Sequence, residues 1–230
     1  MKHYILLILV LFVIFISGCA TQKAWVYTPN RYTNIQVVSD KTTIVMPFVD
    51  LRENINKNRI LIYMIPILPG FGWADYNVPE GMPMHITSGL WTNYKPTEDF
   101  PKALAQELES AEIFKEVYFD FKKGNSDLIL KGKILSTKYK GTIISYGLSV
   151  YGPLLWLIGL PAGTVYNELS IEMSCVDVAT DKILFSKTYT APCYRKVAWI
   201  YVMPDDFNYP VMIKDLYKEF VEDLRVALKK

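Results

Sequence analysis

The sequence has very few of the residues on which most catalytic and metal sites depend. It contains two histidines and three cysteines among 230 residues. His3 lies in the N-terminal segment that we expect to be removed, and His85 alone cannot form a two-histidine metal site. The sequence has no Gly-x-Ser-x-Gly motif and no glycine-rich loop ending in Lys-Ser or Lys-Thr. We therefore expect no catalytic residues, no metal ion and no cofactor.

Acidic side chains do occur in pairs, at Asp50 with Glu53 and at Asp205 with Asp206. A glycosidase needs two carboxylates that face each other across a cleft. Adjacent acids are more typical of a solvated turn, and His85 is more typical of a plain loop residue. An envelope hydrolase that uses Asp205 or His85 is therefore the least favoured alternative.

The chain also lacks a charge excess of either sign. Its 25 Lys and Arg residues nearly balance its 23 Asp and Glu residues, which gives a formal net charge of +2. Removal of Lys2 with the N-terminal segment would leave +1. Binding to nucleic acid or to an acidic polymer has no electrostatic support in this composition.

The first nineteen residues follow the pattern of an export signal. Lys2 and His3 precede an unbroken apolar run at residues 4–16. This run is shorter than the ~20 apolar residues that a transmembrane helix needs, but it suits the apolar core of a signal peptide. The sequence therefore predicts a signal helix within residues 1–18.

The apolar run ends in Ile16-Ser17-Gly18-Cys19. This motif resembles the lipobox of bacterial lipoprotein precursors, in which an aliphatic residue and two small residues precede the modified cysteine. The resemblance implies that Cys19 receives diacylglycerol and fatty acids such as palmitate, and becomes the first residue of the mature chain. Several acyl chains anchor a protein stably in a membrane. With Ala20 after the cysteine, we expect an outer-membrane location facing the periplasm.

Beyond the signal peptide we expect a tether at residues 19–40 and one domain at residues 41–230. Strand-like patterns occupy residues 42–50, 117–121 and 127–139, and a hairpin spans residues 169–178 and 182–191. Apolar spacing predicts amphipathic helices at residues 100–114 and 211–228, and loops at 51–58 and 74–98. This order predicts an α/β fold of the α+β sandwich type, in which a mixed sheet carries both main helices on one face.

Two cysteines remain after Cys19. In the predicted hairpin Cys175 lies opposite Phe185, whereas Cys193 would lie opposite Asn167, about eight residues further along the strand. At ~3.3 Å per residue this separation far exceeds the ~6 Å Cα distance of a disulfide. We expect Cys175 to be a free thiol in the core.

Several segments resemble a group of bacterial envelope lipoprotein domains. The matching residues are 44–50 (IVMPFVD), 105–108 followed by 113–117 (AQEL and IFKEV), 126–132 (SDLILKG) and 176–187 (VDVATDKILFSK). The group includes the amino-terminal domain of the Tol-system translocation protein, the curli-secretion lipoprotein and the lipoprotein activator of penicillin-binding proteins. The chain departs from the group's pattern at Asp181, where glycine is usual, and at Phe185, where tryptophan is usual.

Two apolar insertions, at residues 59–73 and 143–165, are the larger departures from that group. Both are broken by proline and glycine. They are consistent with a buried extension of the core, with an exposed surface that contacts a membrane or a partner, or with a transmembrane helix at 143–165. Large exposed apolar patches usually mark interaction sites, and aromatic residues favour membrane interfaces. The candidate contact residues are Trp73, Tyr146, Tyr151, Leu155, Trp156 and Leu157.

The sequence as a whole predicts a lipid-anchored binding or assembly module rather than an enzyme. We expect it to contact an envelope protein partner or the membrane surface through the two insertions. The alternative is a subunit of an oligomeric outer-membrane secretion or transport assembly, in which the insertions would become membrane strands. Their proline content argues against that alternative, and the oligomeric state is left open.

Overall fold

The computed structural model describes residues 25–33, 37–66, 70–81, 95–201 and 208–229. Almost all of them belong to one compact unit formed by Val26–His85 and Lys95–Lys230; the second unit, Met1–Trp25 with Ile86–Tyr94, lies almost entirely outside the described residues. Ten residues discussed above also lie outside: Lys2, His3, Ile16, Ser17, Gly18, Cys19, Ala20, His85, Asp205 and Asp206.

The described residues form a mixed sheet of nine strands and three α-helices. The strands are β1 (Ser39–Val45), β2 (Val49–Asp50), β3 (Ile55–Arg59), β4 (Phe71–Asn77), β5 (Phe114–Phe119), β6 (Leu128–Ile144), β7 (Gly163–Asp177), β8 (Ile183–Thr190) and β9 (Tyr194–Ala198). The helices are α1 (Pro96–Ser110), α2 (Pro153–Leu157) and α3 (Tyr209–Leu228). Short 3-10 helices occupy Ile60–Met64 and Ser149–Tyr151.

The long antiparallel pair of β6 and β7 forms the centre of the sheet. Near the start of β6, its other neighbour is the parallel strand β1, which also pairs with β5. Near the end of β6, that place is taken by β4, which pairs with β3. On the far side of β7, β8 and β9 lie one after the other. The strand beside β6 is therefore β1 near the start of β6 and β4 near its end.

Both long helices lie on one face of the sheet. Strand β7 alternates buried and half-buried residues along most of its length, and its buried side chains point towards the helices. Helices α1 and α3 contact each other, since the Tyr217 hydroxyl donates a hydrogen bond of 2.7 Å to the carbonyl oxygen of Phe100. At the N-terminus of α3, the Tyr209 hydroxyl donates to the carbonyl oxygen of Thr137, halfway along β6. The predicted α+β sandwich is confirmed.

Two segments expected to be loops are strands. β3 begins in the predicted loop 51–58 and ends at Arg59, the first residue of the first insertion, and β4 runs from the end of that insertion into the predicted loop 74–98. Strand β3 is rich in polar residues, and β4 alternates glycine or alanine with aromatic residues. Polar residues, glycine and alanine are depleted in strands, so local preference does not identify these segments. β4 is a strand because it pairs with the end of β6, more than seventy positions away in the case of Phe71 with Ile144, and β3 in turn pairs with β4.

Residues 27–32, in the middle of the expected tether, are held against the helices. Glu107 of α1 is fully buried and accepts hydrogen bonds at both carboxylate oxygens. Its donors are the hydroxyls of Tyr27 (2.7 Å) and Tyr32, and the backbone and side-chain amides of Asn30 at 3.0 and 2.7 Å. Burial, and then the hydrogen bond to Glu107, raise the pKa of both tyrosines. The segment around residues 27–32 is therefore part of the domain.

The two cysteines are free, as predicted. Cys175 is buried and pairs across the hairpin with Phe185. Cys193 is exposed, with its Sγ 3.0 Å from the hydroxyl of Tyr166. Burial raises the pKa of the Cys175 thiol to about 12. A buried thiol that stays protonated is a poor nucleophile.

Thiol labelling will distinguish these two side chains. In the mature chain carrying Cys19→Ala, we expect a maleimide at pH 7 to modify one thiol in the folded protein and two after denaturation. Cys193→Ser should remove the fast reaction, and Cys175→Ser should leave it unchanged. Rapid labelling of both thiols in the folded protein would contradict the burial of Cys175.

Candidate docking surface

Four chain segments meet at the end of the sheet that the two long helices, α1 and α3, do not cover. They are residues 60–66, 70–73, 145–162 and 197–201, and we call them together the apolar tip. The strands bring them together, because Phe71 pairs with Ile144, and Gly163 pairs with both Ile143 and Ala198. Each segment therefore begins or ends at the same edge of the molecule.

Hydrogen bonds to backbone carbonyl oxygens hold the segments to one another. The amides of Ser145 and Tyr146 donate to the carbonyl oxygen of Gly70, at 2.8 and 3.1 Å. The Ser149 hydroxyl donates to the carbonyl oxygen of Met64. These contacts join the two apolar insertions predicted from the sequence into one structure.

A close approach of two backbones also joins these segments. A Cβ atom at position 72 would lie 1.9 Å from the carbonyl oxygen of Ile60, so only glycine fits there. A second close approach brings Gly152 against the backbone of Ser145, where a Cβ atom at position 152 would lie 2.5 Å from the Ser145 Cα. The tip is therefore closely packed at its base rather than a loose loop.

Most of the predicted contact residues do lie on the surface of this tip. Tyr151 is 68% exposed and Leu157 52%, whereas Trp73 and Tyr146 are each exposed by a little over a third. Leu155 is half-buried. Of the alternatives that the sequence left open for the insertions, an exposed surface describes these positions.

Trp156 is a correction to that set. Its side chain is only 9% exposed, and its indole Nε1 donates a hydrogen bond of 2.8 Å to the carbonyl oxygen of Ile144. The indole thus fixes helix α2 to the end of β6. Trp156 supports the tip from below and does not belong to its surface.

Other exposed apolar residues of the tip were not singled out from the sequence. They are Leu61, Met64, Ile65, Phe71, Leu148, Val150, Leu154, Ile158, Leu160, Val197, Trp199 and Tyr201. Ile158 is the most exposed of them at 77%. The signal that could have identified residues 197–201 was their aromatic character, but their position beside 145–162 depends on the β7–β9 pairing.

The transmembrane-helix hypothesis for residues 143–165 is wrong. These residues form the end of β6, a 3-10 helix, the five-residue helix α2 and the start of β7. Across the described ranges, no helix combines the length and the apolar character needed to cross a membrane.

The carboxylate pair at Asp50 and Glu53 is not arranged as two facing acids. The Arg52 guanidinium binds both oxygens of Asp50, with Nε and Nη2 at 2.8 and 2.6 Å, while Glu53 is exposed. Burial alone would raise the pKa of Asp50, but the hydrogen bonds from Arg52 and from the Glu80 amide together outweigh it and hold that pKa below its usual value. Arg52 also donates to the Thr137 hydroxyl at 2.6 Å. This cluster ties β2 to β6.

Comparison with known proteins supports the fold. No protein-family model and no curated protein matches the chain. Among solved structures, protein XCC0632 from Xanthomonas campestris, described as DUF330, has a TM-score of 0.51 at 11% identity, covering 90% of this chain and 96% of that one. The PelC dodecamer from Paraburkholderia phytofirmans gives 0.38 at 11%, covering 81% and 89%.

A third similar structure is lipoprotein GNA1162 from Neisseria meningitidis, with a TM-score of 0.37 at 10% identity, covering 80% of this chain and 97% of that one. At such identities a likeness concerns the fold alone, and of these three XCC0632 is similar enough over the whole domain to support it. The chain thus shares the fold of a bacterial DUF330 protein along nearly its whole length.

Proposed function

We propose that the protein is a lipid-anchored, non-catalytic binding module of the bacterial cell envelope, attached through Cys19 and engaging its target through the apolar tip. The observation that carries this proposal is the tip itself. It is an exposed apolar surface without any Asp, Glu, Lys or Arg in residues 60–66, 70–74, 141–167 and 197–201. The residue after Cys19, Ala20, supports attachment to the outer membrane, facing the periplasm.

The physical argument is the cost of leaving such a surface in water. Soluble domains rarely expose large contiguous apolar patches, and those that do mostly use them to bind a membrane or another protein. Covering the tip removes apolar area from water at a gain of roughly 25 cal/mol per Å². Because the tip is built on the ends of five paired strands, β3, β4, β6, β7 and β9, little order has to be gained on binding.

The non-catalytic part of the proposal rests on the side chains available. Among the residues that the structure describes, no three His, Cys, Asp or Glu side chains are grouped so that they could hold a metal ion. The apolar tip itself contributes no carboxylate, imidazole or thiol, since Tyr166 lies on β7 below it and Cys193 lies just before β9. Binding is therefore the activity that the chemistry of this surface supports.

The alternative of a secretion-assembly subunit takes a different form in light of the fold. Residues 145–162 contain a 3-10 helix and α2, so they do not form the membrane strands that the alternative required. An assembly would instead need the apolar tip of one copy to meet a neighbouring copy. Oligomers that depend on the tip would reveal such an assembly.

Fatty-acid labelling tests the anchor. When the full precursor is expressed in a bacterial host with a labelled fatty acid, we expect label on the protein and its recovery with membranes. Cys19→Ala should abolish the label, whereas Cys193→Ser should keep it. Undiminished labelling of Cys19→Ala would contradict lipidation at this residue.

Sedimentation with native membranes tests the tip. The mature chain with Cys19→Ala should bind envelope membranes of the producing bacterium, and Leu157→Asp with Ile158→Asp should reduce that binding at least tenfold. Val226→Asp is a matched control, because Val226 is 59% exposed on α3, away from the tip. Equal binding by tip variant and control, with both folded by circular dichroism, would overturn the proposed function.

A further inference from the structure

The open face of the sheet, opposite the helices, carries a basic collar directly below the apolar tip. We define the basic collar as Lys57, Arg59, Lys138, Lys140 and Arg195. All are exposed except Lys138, which is half-buried. None of the five forms an ion pair with another described residue, whereas Lys133, further down the same face, is paired with Glu172.

Strand register places these side chains on one face. Lys57 pairs with Asp75, Asp75 with Lys140, Lys140 with Tyr166, and Tyr166 with Arg195. Residues opposite each other on neighbouring strands point to the same side of a sheet. One row across all five strands therefore carries three cations, and the guanidinium of Arg195 lies over the ring of Tyr166 at 5.9 Å.

The neighbouring rows extend the pattern. Arg59 lies in the row nearer the tip, since it pairs with Trp73, which pairs with Thr142. Lys138 lies in the row further from the tip, opposite Glu168. Asp75 and Glu168 are the acidic residues of these rows, so five positive and two negative charges leave a local net charge of +3. The whole chain, by contrast, has nearly balanced charge.

The distance between the basic collar and the apolar tip fits a bilayer interface. At ~3.3 Å per residue, the row of Arg59, level with Thr142, lies about 7 Å from the end of β6 at Ile144, and the row of Lys140 lies about 13 Å from it. Lipid headgroups lie just outside the hydrocarbon, and attraction to anionic lipids acts within about a Debye length, ~8–10 Å. Trp73, Tyr146 and Trp199 are partly exposed aromatic residues of the tip, and Trp73 lies directly opposite Arg59 of the basic collar.

We propose that the target of the tip is the surface of an anionic phospholipid bilayer: the apolar tip enters the headgroup–acyl boundary and the basic collar binds headgroup phosphates. This inference rests on the proposed function and names its partner. An apolar surface that contains aromatic residues and is bordered by Lys and Arg is the arrangement of interfacial membrane-binding elements. The local net charge of +3 beside an uncharged apolar tip favours an anionic bilayer over a protein partner, which requires no such excess of positive charge.

Protein-free vesicles test this inference. The mature chain with Cys19→Ala is mixed with vesicles of phosphatidylcholine alone or with ~30% phosphatidylglycerol, and binding is measured by sedimentation. We expect binding to the anionic vesicles, at least about tenfold weaker binding to the neutral ones, and weaker binding at about 0.5 M salt. Lys140→Glu with Arg195→Glu should lose at least about tenfold affinity for anionic vesicles.

Two further variant pairs separate the role of the basic collar from a general effect of net charge and from misfolding. Lys122→Glu with Lys131→Glu makes the same change in net charge far from the tip and should retain the affinity. If Lys140→Glu with Arg195→Glu fails to fold, Lys57→Glu with Arg59→Glu on strand β3 tests the same basic collar. The proposal is supported when a folded collar variant loses affinity and the distant variant does not.

Three results would overturn the inference. Binding to native membranes without binding to vesicles would mean a membrane-protein target, and the proposed function would stand. Equal affinity for neutral and anionic vesicles would remove the role of the basic collar. Tip-dependent oligomers in analytical ultracentrifugation, without vesicle binding, would mean that a second copy covers the tip.

Discussion

Replacing Trp156 with alanine will lower the free energy of unfolding by about 3–5 kcal/mol, the range measured for removal of a large buried aromatic side chain. The indole is nearly fully buried and joins α2 to the carbonyl oxygen of Ile144. Its loss leaves a cavity beneath the apolar tip and removes the bond that closes residues 145–162 onto β6. Urea denaturation followed by circular dichroism measures the effect.

Matched variants separate packing from hydrogen bonding in this prediction. Trp156→Phe keeps most of the apolar volume and loses the indole N–H, so we expect a cost of about 1–2 kcal/mol. Trp199→Ala removes a tryptophan that is 39% exposed on the same tip and should cost less than Trp156→Ala. If Trp156→Ala unfolds at the same urea concentration as Trp199→Ala, Trp156 does not support the tip.

Replacing Glu107 with alanine will destabilise the domain by about 3 kcal/mol and release the segment around residues 27–32. Hydrogen bonds to a charged group contribute about 1.5–3 kcal/mol each, but donors on a released segment bind water instead, so the net loss is much smaller than the sum of the four bonds. The hydroxyls of Tyr27 and Tyr32 and the amides of Asn30 would all lose their acceptor. Limited proteolysis should then cut near residue 30 while the rest of the domain stays folded longer.

Glu107→Gln gives a sharper version of this test. Both carboxylate oxygens accept from donors, so an amide group in either orientation would place its NH₂ against a donor. We expect Glu107→Gln to cost nearly as much as Glu107→Ala, although it is almost the same size as the native residue. Glu109→Gln, exposed on the same helix, should change neither stability nor proteolysis. A harmless Glu107→Gln would show that the segment is held by other contacts.

Local pattern was sufficient for the elements that carry most of the hydrophobic core. The alternation of apolar and polar residues identified the β7–β8 hairpin, and its register placed Cys175 opposite Phe185. Apolar spacing identified α1 and α3 within a few residues of their ends. The predicted fold class followed from these elements, because a helix stripe and a sheet face must cover each other.

The same pattern did not identify β3, β4 or the bound N-terminal segment. β3 consists largely of polar residues. It forms a strand only because β4, which lies beside β6, offers it a free edge for pairing. Tyr27, Asn30 and Tyr32 have the character of a polar tether, yet they bind a carboxylate far along the chain. Contacts of this kind depend on positions that only the folded sheet and helices bring together.

The apolar tip shows most clearly where sequence information ends. The sequence by itself determined that residues 143–165 are uncharged, broken by proline and glycine, and unable to continue as one helix. Only the tertiary structure decided that Trp156 points inward while Leu157 and Ile158, the next two residues, point outward. The hydrophobic effect is not directional, so the local sequence does not determine which of three neighbouring apolar residues is buried. Close packing of α2 against the end of β6 decides it, because the buried indole of Trp156 occupies that place.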